Sequence, residues 1–77
     1  MERAYVLLNV EIDSKREVLD SLKEIPDVKE AHQLYGVYDF IIRVEAGTLQ
    51  ELKDLITNRI RGIGKIRSTL ALICIRG

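Results

Sequence analysis

Alternating hydrophobic and polar positions mark the first strand of the chain. In residues 4–12 (AYVLLNVEI) every second side chain, from Ala4 onward, is hydrophobic and shares one face, a spacing typical of a half-buried strand. A weaker alternation predicts a second strand over residues 28–35, and a clearer one predicts a third over residues 40–45. The hydrophobic run of residues 66–75 (IRSTLALICI) predicts a last strand.

Two segments with helical spacing lie between these strands. Each begins with a hydroxyl residue placed three positions before a glutamate, Ser14 before Glu17 and Thr48 before Glu51. This spacing predicts a capping box at the start of each helix. A proline ends the first segment and two glycines end the second, so the predicted helices occupy the intervals between the first and second and between the third and fourth strands.

The resulting order is β-α-β-β-α-β, which defines the ferredoxin-like split βαβ fold of the α+β class. We expect one four-stranded antiparallel sheet that carries both helices on one face. With 77 residues the chain has room for a single domain, which we assign to residues 1–77.

The opposite face of the sheet is predicted to be hydrophobic as well. Strict alternation would place polar residues there, yet the strands offer several large apolar side chains. An apolar sheet face of this extent is more often an interface than a solvent-exposed surface, so we expect a face-to-face dimer. The residues predicted on this face are Tyr5, Leu7, Ile41, Ala71 and Ile73.

Chain length and composition independently favour oligomerisation. A domain this small is marginally stable alone and usually gains a disulfide, a metal or a partner subunit. Cys74 is the only cysteine, and with His32 it is too few to hold a structural metal, so we expect neither a disulfide nor a metal or other cofactor. Twelve basic residues balance twelve acidic ones, which argues against a general polyanion binder. The strand pattern begins almost at once, so we expect no signal or transit peptide and a cytoplasmic protein.

The segment Gly36-Val37-Tyr38-Asp39 is the densest candidate for a binding site. Gly36 adopts positive φ readily and lets a ligand approach the backbone, and free N–H groups in such a turn bind carboxylates. Asp39 offers a countercharge for an ammonium group. The purely structural alternative is that Gly36 serves the turn and that Asp39 accepts hydrogen bonds within it.

This segment also carries a resemblance to a known family. Gly36-Val37-Tyr38-Asp39-Phe40-Ile41-Ile42-Arg43-Val44, followed by Gly62-Ile63-Gly64-Lys65-Ile66-Arg67-Ser68-Thr69, resembles the effector-binding RAM domain of the leucine-responsive regulator/AsnC family. The resemblance extends over almost the whole chain. The helix-turn-helix domain of the family is missing, so the chain looks like a stand-alone sensor domain.

The resemblance implies a non-catalytic role in transcription regulation. Family members pair through their sheets, and four or five dimers assemble into an octamer or decamer that binds amino acids or similar small effectors in clefts between dimers. The residues that the resemblance marks for ligand binding are Gly36, Tyr38, Asp39, Thr69 and His32. A full-length family member is a further candidate partner, whereas direct DNA binding and membrane association are not expected.

Three other functions remain open at this point. An ACT-type regulatory domain has the same element order, although its usual glycine turn after the first strand is absent. Small dimeric α/β-barrel monooxygenases and isomerases share the fold, but the chain offers no evident catalytic constellation. An RNA-recognition module would use the basic string that includes Arg59, Arg61, Lys65 and Arg67, which we interpret as charge at the helix end and solvated surface.

Overall fold

A computed structural model describes residues 1–75 of the protein. Its elements, in chain order, are β1 (Glu2–Val10), α1 (Lys15–Lys23), β2 (Val28–Gln33), β3 (Phe40–Ala46), α2 (Leu49–Asp54), a π-helical segment that continues α2 (Leu55–Ile60), and β4 (Ile66–Ile73). The predicted order β-α-β-β-α-β is confirmed. Within residues 1–75, no helix is both long and apolar enough to cross a membrane.

The four strands form one antiparallel sheet in the order β2-β3-β1-β4. Central β1 pairs with β3, with Val6 opposite Ile42, and with β4, where Val6 lies opposite Ala71. Two strands therefore remain at the edges, β2 with mostly polar side chains and β4 with mostly apolar ones. This arrangement confirms the predicted ferredoxin-like fold.

The hydrophobic core lies between the sheet and its two helices. Alternate residues of β1 and β3 point into it, and α1 contributes Val18 and Leu22. The helix that contains α2 contributes Leu52 and Ile60, which are fully buried. Ile12, predicted on the core face, lies beyond the end of β1 and is exposed.

The two predicted capping boxes have different outcomes. Thr48 Oγ1 accepts a hydrogen bond from the Glu51 N–H at 3.1 Å, as predicted for the second helix. Ser14 makes no side-chain cap hydrogen bond, so the predicted box with Glu17 is wrong. Instead, the backbone carbonyl of the buried Ser14 accepts a hydrogen bond from the Val18 N–H at 2.9 Å, at the start of the helix.

The prediction that Ala71 and Ile73 lie on the uncovered face is wrong. Both pair with core residues of β1, Ala71 with Val6 and Ile73 with Ala4, and cross-strand partners share a face of the sheet. Because β4 is apolar at consecutive positions, its sequence does not show which side chains face the core and which face away from it. The predicted residues of the uncovered face are therefore one position away from the observed ones. The uncovered face carries Leu70 and Leu72 in their place.

A β-bulge interrupts the pairing of β1 with β4 close to the start of β4. Asn9 pairs with Ser68, but the next residue of β1, Val10, pairs with Ile66, so that Arg67 is the extra residue. The connections after β1, after β2 and before β4 all lie at this end of the sheet. They bring the sequence-predicted binding segment beside the bulge.

Candidate functional site

Asp39 connects three segments at the loop end of the sheet. Its Oδ2 accepts a hydrogen bond from the Val10 N–H at 2.8 Å, and its Oδ1 lies 3.9 Å from Lys15 Nζ at the start of α1. Its N–H donates to the Leu8 carbonyl and its carbonyl accepts from the Leu34 N–H, each at 2.8 Å. The carboxylate is thus already engaged by the protein, an arrangement that holds the loop in place.

A cavity of about 350 Å³ opens beside Asp39. Its two charged side chains are Asp39 and Arg67, and Asn9 Nδ2 donates to Ser68 Oγ within it at 3.4 Å. Val37 adds an exposed apolar side chain. The cavity therefore combines one negative charge, one positive charge, polar groups and an apolar wall, which are the features that a small zwitterion needs.

Thr69 lies at a second, neighbouring cavity of about 290 Å³. Its Oγ1 accepts a hydrogen bond from Arg61 Nε at 2.9 Å. Arg67 and Ser68 line both this cavity and the one that contains Asp39, so the two cavities are adjacent. The structure thus places Thr69 and Asp39 on either side of Arg67.

Gly36 and Tyr38 belong to the loop between β2 and β3 but line neither of these cavities. Gly36 has φ +155°, which confirms that this turn uses a backbone conformation that favours glycine. An added Cβ at Gly36 would meet no atom within 4 Å. The need for glycine here is conformational, and Tyr38 beside it is half-buried.

His32 takes part in a different group of charges, on the uncovered face of the sheet. Its Nε2 donates to Glu30 Oε1 at 3.1 Å, and Arg43 Nε donates to Glu30 Oε2 at 2.7 Å. Arg43 also pairs with Glu45. The hydrogen bonds from His32 and then from Arg43 lower the pKa of Glu30 below its ordinary value, and the bond to Glu30 raises the pKa of Arg43. His32 is therefore bound to the sheet face and not to the Asp39 loop.

The apolar part of the uncovered face extends across β3, β1 and β4. Tyr5 and Leu7 of β1 lie opposite Leu72 and Leu70 of β4, and Leu7 also lies opposite Ile41 of β3. The solvent-exposed fractions of Tyr5, Leu70 and Leu72 are 37%, 43% and 50%. Side chains this exposed and this large form a continuous hydrophobic strip in the monomer.

Sequence reasoning missed the arginines and the residues around the bulge. Arg61 and Arg67 were assigned to helix-end charge and solvated surface, but both line cavities beside the predicted Thr69. The bulge that displaces Arg67 has no signature in the sequence. The only sequence signal for the Arg61–Thr69 contact is that a cationic residue and a hydroxyl residue flank a short connection that contains glycine.

Comparison with known proteins identifies the family to which this chain belongs. The family described as the Lrp/AsnC ligand binding domain matches residues 3–77, and the chain belongs to that family. Among curated proteins it is 27% identical over 73 residues to the HTH-type transcriptional regulator PH1916 of Pyrococcus horikoshii, and the match covers 91% of the chain. The chain spans about half the length of this relative (49%).

Solved structures support the same assignment. The chain is similar to FFRP-DM1, with a TM-score of 0.94, 40% identity and coverage of 97% of this chain and 100% of the other. It is also similar to the hypothetical protein PHS023 of Pyrococcus horikoshii, with a TM-score of 0.92, 39% identity and coverage of 100% and 93%. A regulator of Neisseria meningitidis solved as an L-Met complex has the same fold at 10% identity, with a TM-score of 0.87 and coverage of 97% and 50%.

One similar curated protein is an enzyme. The chain is 33% identical over 78 residues to the homocitrate synthase of Sulfurisphaera tokodaii. The match covers 97% of this chain but only 17% of the synthase. A segment similar to this domain thus occurs within a much longer enzyme.

Proposed function

We propose that this domain senses a small effector, an amino acid in the first instance, and transmits its presence through oligomerisation. The observation that carries the proposal is the uncovered sheet face, on which central β1 and edge strand β4 expose large apolar side chains. The second support is membership of the Lrp/AsnC ligand-binding family. The role is regulatory and not catalytic.

The uncovered face provides the first contact between subunits. Full burial of a large apolar side chain contributes about 1.5–3 kcal/mol, so the strip of Tyr5, Leu7, Ile41, Leu70 and Leu72 is sufficient to stabilise a domain that is marginal alone. In a two-fold dimer the same surface is buried on both subunits. The arginine–glutamate pairs around Arg43 then flank the apolar contact.

The loop end of the sheet provides the effector site. The two cavities that meet at Arg67 contain the charged and polar groups described above, and we propose that a neighbouring dimer closes them. A ligand at such a junction shifts assembly by no more than the difference between its affinities for the open and closed states. We propose that four or five dimers assemble into an octamer or decamer in the cytoplasm, alone or with a full-length family member, and we do not assign direct DNA binding to this domain.

Native mass spectrometry of the purified protein, alone and with each of the twenty common amino acids, tests this function. We expect a dimer or a multiple of dimers, a shift in assembly size with at least one amino acid, and a parallel increase in melting temperature. Asp39→Ala, which releases the loop beside the cavities, should reduce both responses. A stable monomer at micromolar concentration that ignores every amino acid would contradict the proposal.

The similarity to a homocitrate synthase segment favours one second candidate, a domain that confers effector control on an enzyme. In that case the effector response would be read by an enzyme partner and not by a DNA-binding protein. Affinity capture with and without the effector, followed by activity assays of the captured proteins, separates the two. Effector-dependent capture of an enzyme whose turnover changes on binding would favour this candidate over the transcriptional one.

A further inference from the structure

Two guanidinium groups line the cavity of about 290 Å³ beside β4. The lining residues are Arg61, Ile66, Arg67, Ser68 and Thr69. No carboxylate is among them, and within residues 1–75 neither arginine has an acidic side chain within ion-pair distance. The cavity is thus a concave site with two positive charges, two hydroxyl groups and no internal countercharge.

Arg61 is held in position by its hydrogen bond to Thr69. The bond uses only Nε, at 2.9 Å from Thr69 Oγ1, and leaves the N–H groups of Nη1 and Nη2 available. The chain turns immediately after Arg61 at Gly62, where a Cβ would lie 2.4 Å from the Asn58 carbonyl oxygen. The turn therefore fixes the backbone that carries Arg61, and the hydroxyl orients its guanidinium. A planar group whose orientation is fixed in this way is suited to bidentate binding of a carboxylate.

Arg67 reaches the same cavity because of the β-bulge. As the extra residue of β4, Arg67 lies outside the regular alternation, between Ile66 on the core face and Ser68 on the uncovered face. It lines the cavity with Arg61 and also the cavity with Asp39 and Val37. A ligand whose anionic end lies between the arginines can therefore extend toward Val37.

We infer that Arg61 and Arg67 form the receptor for the carboxylate of the effector, with Thr69 as the positioning residue of Arg61. This inference rests on the proposed effector-binding function and adds the chemical group that is recognised. The Asp39 carboxylate accepts a hydrogen bond from the Val10 N–H and lies close to Lys15. An ammonium group of the ligand would therefore have to compete with these partners for Asp39. Recognition is consequently dominated by the carboxylate, and the ligand class is a small monocarboxylate with an apolar side chain.

Isothermal titration calorimetry of the intact protein tests the receptor. The first probes are the twenty common amino acids, beginning with L-methionine. The next are the α-keto acid and the amine that correspond to the amino acid that binds most tightly, or to L-methionine if no amino acid binds. Inorganic phosphate is the last probe. We expect the α-keto acid to bind with an affinity comparable to that of the amino acid, and the amine not to bind. Each of Arg61→Gln and Arg67→Gln should weaken binding about tenfold or more, as expected for the loss of a charge-assisted hydrogen bond.

Two further variants separate the receptor from general electrostatics and from misfolding. Arg59→Gln removes the same charge from an exposed position that lines neither cavity, and it should leave the affinity unchanged. Thr69→Val keeps the shape but removes the acceptor for Arg61, and it should reduce the preference for the α-keto acid over the amine. Thr69→Ser should restore that preference, which a purely structural role of Thr69 in packing would not do.

The outcomes distinguish this inference from the proposed function. Amino-acid binding that is unchanged in the double variant R61Q/R67Q, or equal binding of the amine, overturns the receptor and leaves amino-acid sensing intact. Arginine-dependent binding of the α-keto acid without any amino acid supports the receptor and overturns amino-acid sensing. Phosphate binding tighter than that of either carboxylate overturns the carboxylate assignment, and no binding by any probe overturns both.

Discussion

Asp39 illustrates how a residue type that suits a ligand can be used by the fold instead. A carboxylate in a glycine-containing loop was predicted to meet an ammonium group or to order the loop. In the structure it accepts a hydrogen bond from the Val10 N–H, on the edge of β1 that faces β3. Because the pairing of β1 with β3 ends at Leu8 and Phe40, this N–H has no backbone partner in β3, and the nearby carboxylate satisfies it.

Replacing Asp39 should separate this hydrogen bond from the weak contact with Lys15. Asp39→Ala leaves the partly buried Val10 N–H without its acceptor and should lower the free energy of unfolding by about 1–3 kcal/mol. Lys15→Gln removes only a half-exposed charge and should change it by less than about 0.5 kcal/mol. Urea denaturation at one protein concentration measures both, and a Lys15→Gln loss equal to that of Asp39→Ala would contradict the hydrogen-bond assignment.

Glu30 should make stability sensitive to acid. Its pKa is lowered below 4.5 by hydrogen bonds from His32 and then Arg43, so the folded state binds its proton less tightly than the unfolded state does. The contribution is therefore present above pH 4.5 and is lost as the pH falls through the depressed value. In Glu30→Gln the decrease in melting temperature on acidification should be shallower, whereas the exposed and unbonded Glu17→Gln should follow the wild type. Coincident curves for wild type and Glu30→Gln would refute this role.

At the scale of elements, β4 shows why its strand could be predicted but its faces could not. Strands β1 and β3 alternate clearly, so their core residues, from Val6 to Val44, were predictable from sequence. The run from Leu70 to Ile73 is apolar at every position, and period-two reasoning has nothing to distinguish its two faces. Only pairing with β1 decides that Leu70 and Leu72 lie on the uncovered face.

The end of the second helix depends on a glycine for steric reasons. The helix widens into a π-helical segment (Leu55–Ile60) and turns at once into the connection to β4. At Gly62 an added Cβ would lie 2.4 Å from the Asn58 carbonyl oxygen, whereas at Gly64 it would meet no atom within 4 Å. Gly62→Ala should lower the free energy of unfolding by about 1–3 kcal/mol through steric strain, and Gly64→Ala should be neutral or slightly stabilising.

Chemical denaturation of these two alanine variants provides a matched comparison within one connection. Because Arg61 directly precedes Gly62, the Gly62→Ala substitution should also move the Arg61 guanidinium away from Thr69. Equal stability of the Gly62→Ala and Gly64→Ala proteins would show that the turn relaxes without strain. The predicted breaker role of Gly62 would then be dispensable.

At the scale of the whole molecule, the sequence predicted the fold and the existence of an apolar face but not the identity of the charged site. Hydrophobic periodicity and two helix starts determine the order of elements, and that order specifies the sheet. The arginine cavities arise from a bulge and a tight turn, both of which depend on pairing between residues far apart in the chain, such as Val10 and Ile66. Local sequence patterns do not encode such pairings.

A charge on the uncovered face should prevent assembly. Leu70→Glu places a carboxylate within the proposed contact and, in a two-fold dimer, does so twice, so the dimer dissociation constant should increase about 100-fold or more. Thr57→Glu adds the same charge on an exposed position of the helical side and should leave it unchanged. Analytical ultracentrifugation over a range of concentrations measures both constants, and a Leu70→Glu protein that assembles like the wild type would exclude this face as the contact.

The extra residue in β4 has a consequence for how such a domain can diversify. Because the bulge absorbs one position, chain length before Ser68 can change by a residue without rotating Leu70 or Leu72 to the other face. Side chains of the proposed effector site and side chains of the proposed dimer contact can therefore change independently, although only a few positions separate them. If both proposals hold, ligand preference can be changed at the loop end while the dimer contact is kept.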